Sequence, residues 1–263
     1  MNRQQRRQAA RETSKVPAPP LVVIVCHNGQ TRGSFTFSLC RLMVAETCRQ
    51  GFPPGLIWQR FGSDQLVDAR NDSVRFFLDH YSESEWVLFL DADMGFAAET
   101  AQLLQASADV DERPIVGGLC FALKRDGVED EITQAVDLKM QPTLYLFHDL
   151  EDDAGFASID DYQRDGLVQV AGTGMACVLV HRRVLAAMVE KYGTWFDRIP
   201  NPKKPTTTFG EDLSFFVRAA GCDFPVFVDT GVRTSHDKDG VFLTEARWDD
   251  QQRARSARLA DAS

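Results

Sequence analysis

Asp91 and Asp93 stand two residues apart at the end of the run Trp86-Val-Leu-Phe-Leu90. Five apolar residues of aromatic and branched type read as a strand buried on both faces in the middle of a parallel sheet. Such a strand delivers both carboxylates to the C-terminal edge, where open α/β sheets place their ligands. Residues i and i+2 of an extended chain project to the same side, so the pair can face one point. Two carboxylates aimed at one point repel unless a cation or a shared proton lies between them, and hard oxygen ligands favour Mg²⁺ or Mn²⁺. The competing reading has one Asp capping the next helix and the other solvated.

A second acidic pair, Glu211-Asp212, follows Gly210 and opens a stretch with apolar residues at Leu213, Phe216, Val217 and Ala220, the spacing of a core-facing helix closed by Gly221. Carboxylates there can act as a base or can simply favour a helix N-terminus, at ~0.3 to 1 kcal/mol each. His236 lies beyond the last strand candidate, Phe224 to Asp229, and by itself is an exposed loop histidine.

The elements that must position these groups alternate. Leu21-Val-Val-Ile-Val-Cys26 is of strand type and opens onto the polar loop His27 to Gly33, which has no G-x-G-x-x-G fingerprint. Ser34 can cap a helix with Phe35, Leu39, Leu42 and Met43 inward and Gly51 at its end. A short strand at Leu56-Ile-Trp58, a loop at 61–64 and a helix from about Val67, with Asp68, Arg70 and Asn71 in its first turn, precede the central strand. After Asp93 come a helix at 97–107 and a strand at 114–121, whose Gly117-Gly118 implies a close approach to the backbone. Strands alternating with helices predict right-handed crossovers and a mostly parallel sheet.

The second half predicts strands at 144–148, 167–170 and 175–180, with an acidic, solvated connection (Asp149, Glu151, Asp152, Asp153) after the first. A helix from Arg182 to Lys191 ends at Gly193, and the Pro-rich basic stretch 199–208 reads as a loop of the mobile-lid kind. Residues 1–20 form a basic arm with a Pro-rich linker, and the tail from Arg247 reads as a peripheral helix or disordered. The expected division is an arm at 1–20, one domain at 21–243 (a nucleotide-binding half at 21–121 and a second half at 122–243) and a tail at 244–263.

Composition narrows the class. With 263 residues, 44% hydrophobic and 25% charged, the chain is of ordinary globular type. A net charge of −9 argues against a broadly basic nucleic-acid face. The six cysteines contain no C-x-x-C pair and read as reduced core thiols, in keeping with a cytoplasmic protein. No apolar run approaches the ~20 residues of a membrane span, and charges stand where a signal peptide would need its apolar region.

Taken in order, Ala69-Arg70-Asn71, Asp91-Ala92-Asp93, Gly172-Thr173-Gly174, Gly210-Glu211-Asp212 and His236 resemble the motifs of GT-A-fold nucleotide-sugar glycosyltransferases close to the family 2 type, including small single-domain forms found in bacteriophage genomes. The resemblance covers about residues 21 to 243. It implies a Rossmann-like nucleotide-binding half with a mostly parallel sheet and an acceptor-binding second half. His27, Asn28, Arg70, Asn71, Ala92 and Lys124 would meet the nucleotide sugar, a UDP-sugar being favoured over a GDP-sugar. Asp91, Asp93 and His236 would hold Mn²⁺ or Mg²⁺; an imidazole joining carboxylates suits Mn²⁺ better.

By the same resemblance Asp212 would be the general base, Glu211 a sugar or acceptor ligand, and Gly172, Thr173 and Gly174 would present backbone amides to sugar or acceptor. A plain tight turn and a surface lysine are the alternatives for the glycines and for Lys124. Expected location is cytoplasmic, of the host if phage-encoded; the acceptor is a protein, glycan, nucleic acid or small molecule. Retaining relatives use a similar D-x-D without a dedicated base, so the stereochemical outcome stays open beside the inverting one. Two rivals remain. A non-catalytic GT-A relic would have lost the metal set or the acidic pair, and both are present. A haloacid-dehalogenase-type phosphotransferase places its D-x-D after the first strand, not the third.

Overall fold

A computed structural model describes residues 20–62, 65–129 and 136–261. The basic arm and part of the 61–64 loop lie outside them. The first half gives β1 (Leu21–His27), α1 (Gly33–Gln50), β2 (Gly55–Arg60), α2 (Leu66–His80), β3 (Trp86–Asp91), β4 (Met94–Gly95), α3 (Thr100–Ser107) and β5 (Ile115–Leu119). Two hairpins follow, β6 (Phe121–Glu129) with β7 (Val136–Pro142) and β8 (Tyr145–Asp149) with β9 (Ala154–Ser158). The chain continues with β10 (Leu167–Val170), β11 (Cys177–His181), α4 (Arg182–Tyr192), α5 (Glu211–Gly221), β12 (Val226–Arg233), β13 (Ser235–Lys238), β14 (Val241–Leu243) and α6 (Glu245–Asp261).

Seven strands form the central sheet in the order β10-β12-β5-β11-β3-β1-β2. β1 is parallel to β2 and β3, and β12 to β5, whereas β11 runs antiparallel to both β3 and β5, and β10 to β12. Five of the seven strands run one way, as expected, and β10 and β11 run the other, so the sheet is mixed with a parallel core. An apolar run announces a buried strand but not its direction. Direction is set by where β11 enters: Ala176 meets the end of β3, its carbonyl accepting the Asp91 N–H at 3.1 Å, so the chain has to run back down.

Burial on both faces of β3 follows the alternation of a strand. Val87 and Phe89 join Val22, Ile24 and Phe77 in one core cluster, while Leu88 and Leu90 join Leu21, Val23, Val25 and Leu42 in the other. Each such fully buried side chain contributes ~1.5 to 3 kcal/mol, so the strand ends that carry the carboxylates sit on a stiff support.

Several local expectations shift. α1 begins at Gly33 with Arg32 as N-cap and no side-chain cap, so Ser34 lies in its first turn instead of capping it. Gly51 and Gly193 do end α1 and α4 in the left-handed region, at φ 81° and 73°. α5 ends differently: Gly221 is its last residue and the left-handed position falls on Asp223. The buried face of α5 is Ser214, Phe215, Phe216, Arg218 and Ala219, rotated from the expected stripe because two polar residues are satisfied inside. Ser214 Oγ accepts the Ile199 N–H at 3.0 Å, and Arg218 Nη1 donates to the Trp195 carbonyl at 3.3 Å.

The acidic connection after β8 is a hairpin turn whose Asp149 and Asp153 pair with Lys203 and Lys204 of the Pro-rich loop, at 3.3 and 2.8 Å. That loop has no regular element, yet buried Asn201 pins it by donating to the Ala154 carbonyl at 2.7 Å. The tail is helical from Glu245, and its Trp248 is a fully buried core residue against Phe121, not a peripheral one. All six cysteines are free, but Cys40 and Cys48 are exposed. Close approach at Gly117-Gly118 comes from Thr173 and from the Val232 backbone.

Candidate active site

β3 ends at Asp91, the chain turns at Ala92-Asp93, and β4 re-enters as two buried residues. Both carboxylates line one cavity but take different partners, Arg70 for Asp91 and two residues of β13 for Asp93. β13 pairs antiparallel with β4, setting His236 opposite Met94 and Ser235 opposite Gly95, and the Asp237 N–H donates to the Asp93 carbonyl at 2.8 Å. Position 95 admits only glycine without rearrangement, since a Cβ there would meet Ser235 Oγ at 2.4 Å.

One oxygen of Asp93 therefore receives two partners from β13: His236 Nε2 at 3.1 Å and Lys238 Nζ at 2.9 Å. His236 Nδ1 lies 3.0 Å from the Phe121 carbonyl, an acceptor only, so Nδ1 carries a proton. In the neutral ring, Nε2 then turns a lone pair toward a carboxylate oxygen. Two acceptors so placed need a proton or a cation between them. Burial works to raise the Asp93 carboxyl; with a proton on His236 Nε2 as well, that imidazole and the Lys238 ammonium outweigh burial and hold the group down at about 2.

Asp91 belongs to a different constellation. Its Oδ1 accepts from Arg70 Nη2 at 3.1 Å, while Arg70 Nη1 bonds Asp212 Oδ1 and lies 3.5 Å from Glu211 Oε1. Arg70 projects from α2, is 3% exposed and lies over the Phe196 ring at 5.5 Å. Burial alone would lower its pKa; the carboxylates of Asp212, Asp91 and Glu211 reverse this and raise it. The second oxygen of Asp212 accepts the Met175 N–H at 3.1 Å, and Glu211 Oε2 lies 3.5 Å from Arg198. Among the described residues no three His, Cys, Asp or Glu side chains form a ready-made metal cluster; Asp91 is paired with Arg70, and Asp93 with His236 and Lys238.

Asn71, one residue along α2, faces the other way. Its Oδ1 accepts the N–H groups of Trp195 and Phe196 at 3.3 and 3.0 Å and its Nδ2 donates to Asp197 at 2.8 Å. It thereby holds the segment that places Phe196 beneath Arg70.

Two cavities meet at this point. The first, about 270 Å³, is lined by His27, Asn28, Arg32, Phe61, Ala92 and Asp93 among others; the second, about 230 Å³, by Tyr145, Thr173, Gly174, Glu211, Asp212 and His236 among others. Asp91 lines both. In the first, His27 Nδ1 accepts the Gly29 N–H at 3.1 Å and the ring packs on Trp58 at 4.8 Å, with Nε2 unpartnered among the described residues. Partial burial, with Arg60 nearby, lowers its pKa and favours the neutral ring.

In the second, Thr173 Oγ1 shares a hydrogen bond with Thr143 at 3.2 Å. Gly172 stands behind the wall: its carbonyl accepts the Tyr145 N–H at 3.0 Å, and a Cβ there would crowd Phe156 at 3.2 Å. Lys124 is exposed, its ammonium 5.4 Å from the Tyr145 ring centroid. Sequence reasoning passed over Arg32 and Lys238. The signal for Lys238 was present, because His236-x-Lys238 on a strand places both side chains on one face.

The sequence matches no protein-family model, and no curated protein matches it. Solved structures do match in backbone. A197 from STIV superposes with a TM-score of 0.50 at 15% identity, covering 86% of this chain and 91% of that one. GalNAc-T7, solved with UDP, GalNAc and Mn²⁺, superposes with a TM-score of 0.50 at 11% identity over 84% of this chain. The fold is of the GT-A type. The match spans only 44% of the GalNAc-T7 chain. Among the described residues no helix is long and apolar enough to cross a membrane.

Proposed function

We propose that the protein is a metal-dependent glycosyltransferase that moves a sugar from a nucleoside-diphosphate sugar to an acceptor hydroxyl or other nucleophile with inversion. One observation carries the reading: two cavities share Asp91, the Asp93–His236 pair borders them, and an acidic pair at a helix N-terminus lies in the second. The first cavity takes the nucleotide and diphosphate, and the second takes sugar and acceptor. Every wall residue named for the first comes from the expected nucleotide-binding half, and most of those for the second come from residues 122–243. A UDP-sugar is the favoured donor and a GDP-sugar the alternative.

The donor set fits a divalent ion. Asp93 Oδ2 and His236 Nε2 stand 3.1 Å apart with the imidazole proton committed to Phe121, and Mg²⁺-type sites use one or two protein ligands plus substrate phosphates rather than an all-protein cage. An imidazole in the set favours Mn²⁺. Such an ion would supply electrostatic stabilisation to the departing diphosphate. Asp91 then serves as the wall between the two cavities rather than as a ligand.

Asp212 accepts the proton of the attacking hydroxyl. It carries one hydrogen bond on each oxygen, from Arg70 and from the Met175 N–H, which leaves lone-pair capacity on both. Arg70 sets its orientation and that of Asp91 together. Glu211, held more loosely at 3.5 Å by Arg70 and by Arg198, is a sugar or acceptor ligand. Thr173 and Gly174 shape the floor beside it. The test is hydrolysis or transfer of UDP- and GDP-sugars with and without Mn²⁺, the product anomer being read by NMR. No metal-dependent turnover of, or binding to, any nucleotide sugar overturns the reading; retained configuration removes Asp212 from the base role.

A further inference from the structure

We infer that Lys238 is a built-in cation that holds the Asp93 carboxylate until a divalent ion and the donor diphosphate displace it, and that it then becomes a ligand of that diphosphate. The inference rests on the metal reading above. Lys238 Nζ and His236 Nε2 both lie on Asp93 Oδ2, at 2.9 and 3.1 Å. A divalent ion on that oxygen and on Nε2 would repel an ammonium bonded to the same atom, so the two cations exclude each other there.

The side chain is free to leave and the frame is not. Lys238 is 41% exposed on a flexible four-carbon stem. By contrast the β13 backbone is fixed by its pairing with β4 and β14 and by the Asp237–Asp93 hydrogen bond. Displacement therefore needs a change of rotamer and no change of fold. An ammonium released at the rim of the cavity that Asp93 lines meets a doubly charged diphosphate, a good partner for a compact cation. The neighbouring residue Asp239 pairs with Arg32, itself on the cavity wall, at 2.5 Å. The β13–β14 turn thus brings one cation and anchors another at the same rim.

The experiment measures Mn²⁺ binding to the full chain by calorimetry or by spin resonance without nucleotide, then UDP binding at saturating Mn²⁺. Lys238→Met should bind Mn²⁺ about tenfold more tightly than wild type and bind UDP about tenfold more weakly, the scale of one charge-assisted contact. Arg32→Gln removes an equal charge from the same cavity without touching Asp93 and reports the general field; its Mn²⁺ affinity should move by no more than about threefold. Lys238→Arg should leave Mn²⁺ binding near wild type. Wild type that binds Mn²⁺ while Lys238→Met gains no more than Arg32→Gln overturns the competition. A gain in Mn²⁺ affinity with unchanged UDP affinity overturns the hand-over. If no variant, nor wild type, binds Mn²⁺ with or without UDP, the metal reading fails and takes this inference with it.

Discussion

The two cavities are built by different means. The first draws its wall from residues 26–32, from Phe61 and Leu66, and from residues 91–93, at the ends of three neighbouring strands. The second gathers residues from 91 to 236 and depends on one buried guanidinium to hold three acids, two of which are 141 and 142 residues from it in the chain. Local strand geometry suffices for the first. A network that must be complete to be stable is needed for the second, because a buried charge left without its partners is costly.

Substitutions can break that contrast at both ends. The largest effect is expected of Asp93→Ala: turnover falls below detection and Mn²⁺-dependent UDP binding disappears, while the melting temperature stays within a few degrees because Asp93 sits on the rim. Calorimetry showing wild-type UDP affinity in Mn²⁺ would remove Asp93 from the donor side. Asp212→Asn should slow transfer by ~10² to 10⁴ with donor affinity nearly unchanged. Full activity in this variant together with a dead Glu211→Gln would exchange the two roles.

Arg70→Met tests whether the second cavity is a network. It leaves Asp91, Glu211 and Asp212 facing one another without their cation, and denaturant unfolding should show a loss of ~3 kcal/mol, the lower end for breaking a buried pair because the three carboxylates are partly exposed. Loss of donor binding without loss of stability would instead make Arg70 a nucleotide ligand, as the motif Ala69-Arg70-Asn71 led one to expect.

The smallest effect serves as a control away from both cavities. Glu245 of α6 accepts from Arg233, Arg164 and Tyr162. Burial raises its pKa, these partners outweigh it, and the net shift is downward. A carboxyl whose folded pKa is depressed contributes stability above its unfolded pKa, and loses that contribution as pH falls through the folded value. Glu245→Gln should therefore cost ~1 kcal/mol at pH 7, shrinking toward zero in acid, with turnover untouched. An equal cost at pH 7 and pH 3, followed by chemical denaturation, would show that the network carries no linked charge.

What was legible in the chain follows the same contrast. Asp91, Asp93, Glu211 and Asp212 stand out because strand ends and helix starts advertise themselves through apolar runs and acidic first turns, whereas His236 stands out only in company with the other motifs. The direction of β11 does not, since a buried strand has the same composition either way up. Nor does the division of labour between Arg70 and Asn71: adjacent positions on a helix point about a quarter-turn apart, and which one meets the acids depends on α5 and the 194–197 segment arriving from far along the chain. The apolar stripe of α5 misled because Ser214 and Arg218 are buried with backbone partners that no periodicity reveals. Trp248 looked peripheral for the converse reason, a lone aromatic in a charged helix whose buried ring meets Phe121 from far back in the chain.

His236 and Lys238 reach Asp93 through the phase of a strand rather than through packing. Between Asp229 and Arg233 the pairing of β12 with β5 shifts register, and the count of residues through that irregularity decides which side of β13 looks at Asp93. One residue more or fewer would present Ser235 and Asp237 in place of the imidazole and the ammonium, turning a cation-ready pair into two facing carboxylates. The length of this short connection is thus as much a part of the site's specification as the identity of any residue in it, and variation there should be tolerated only in steps of two.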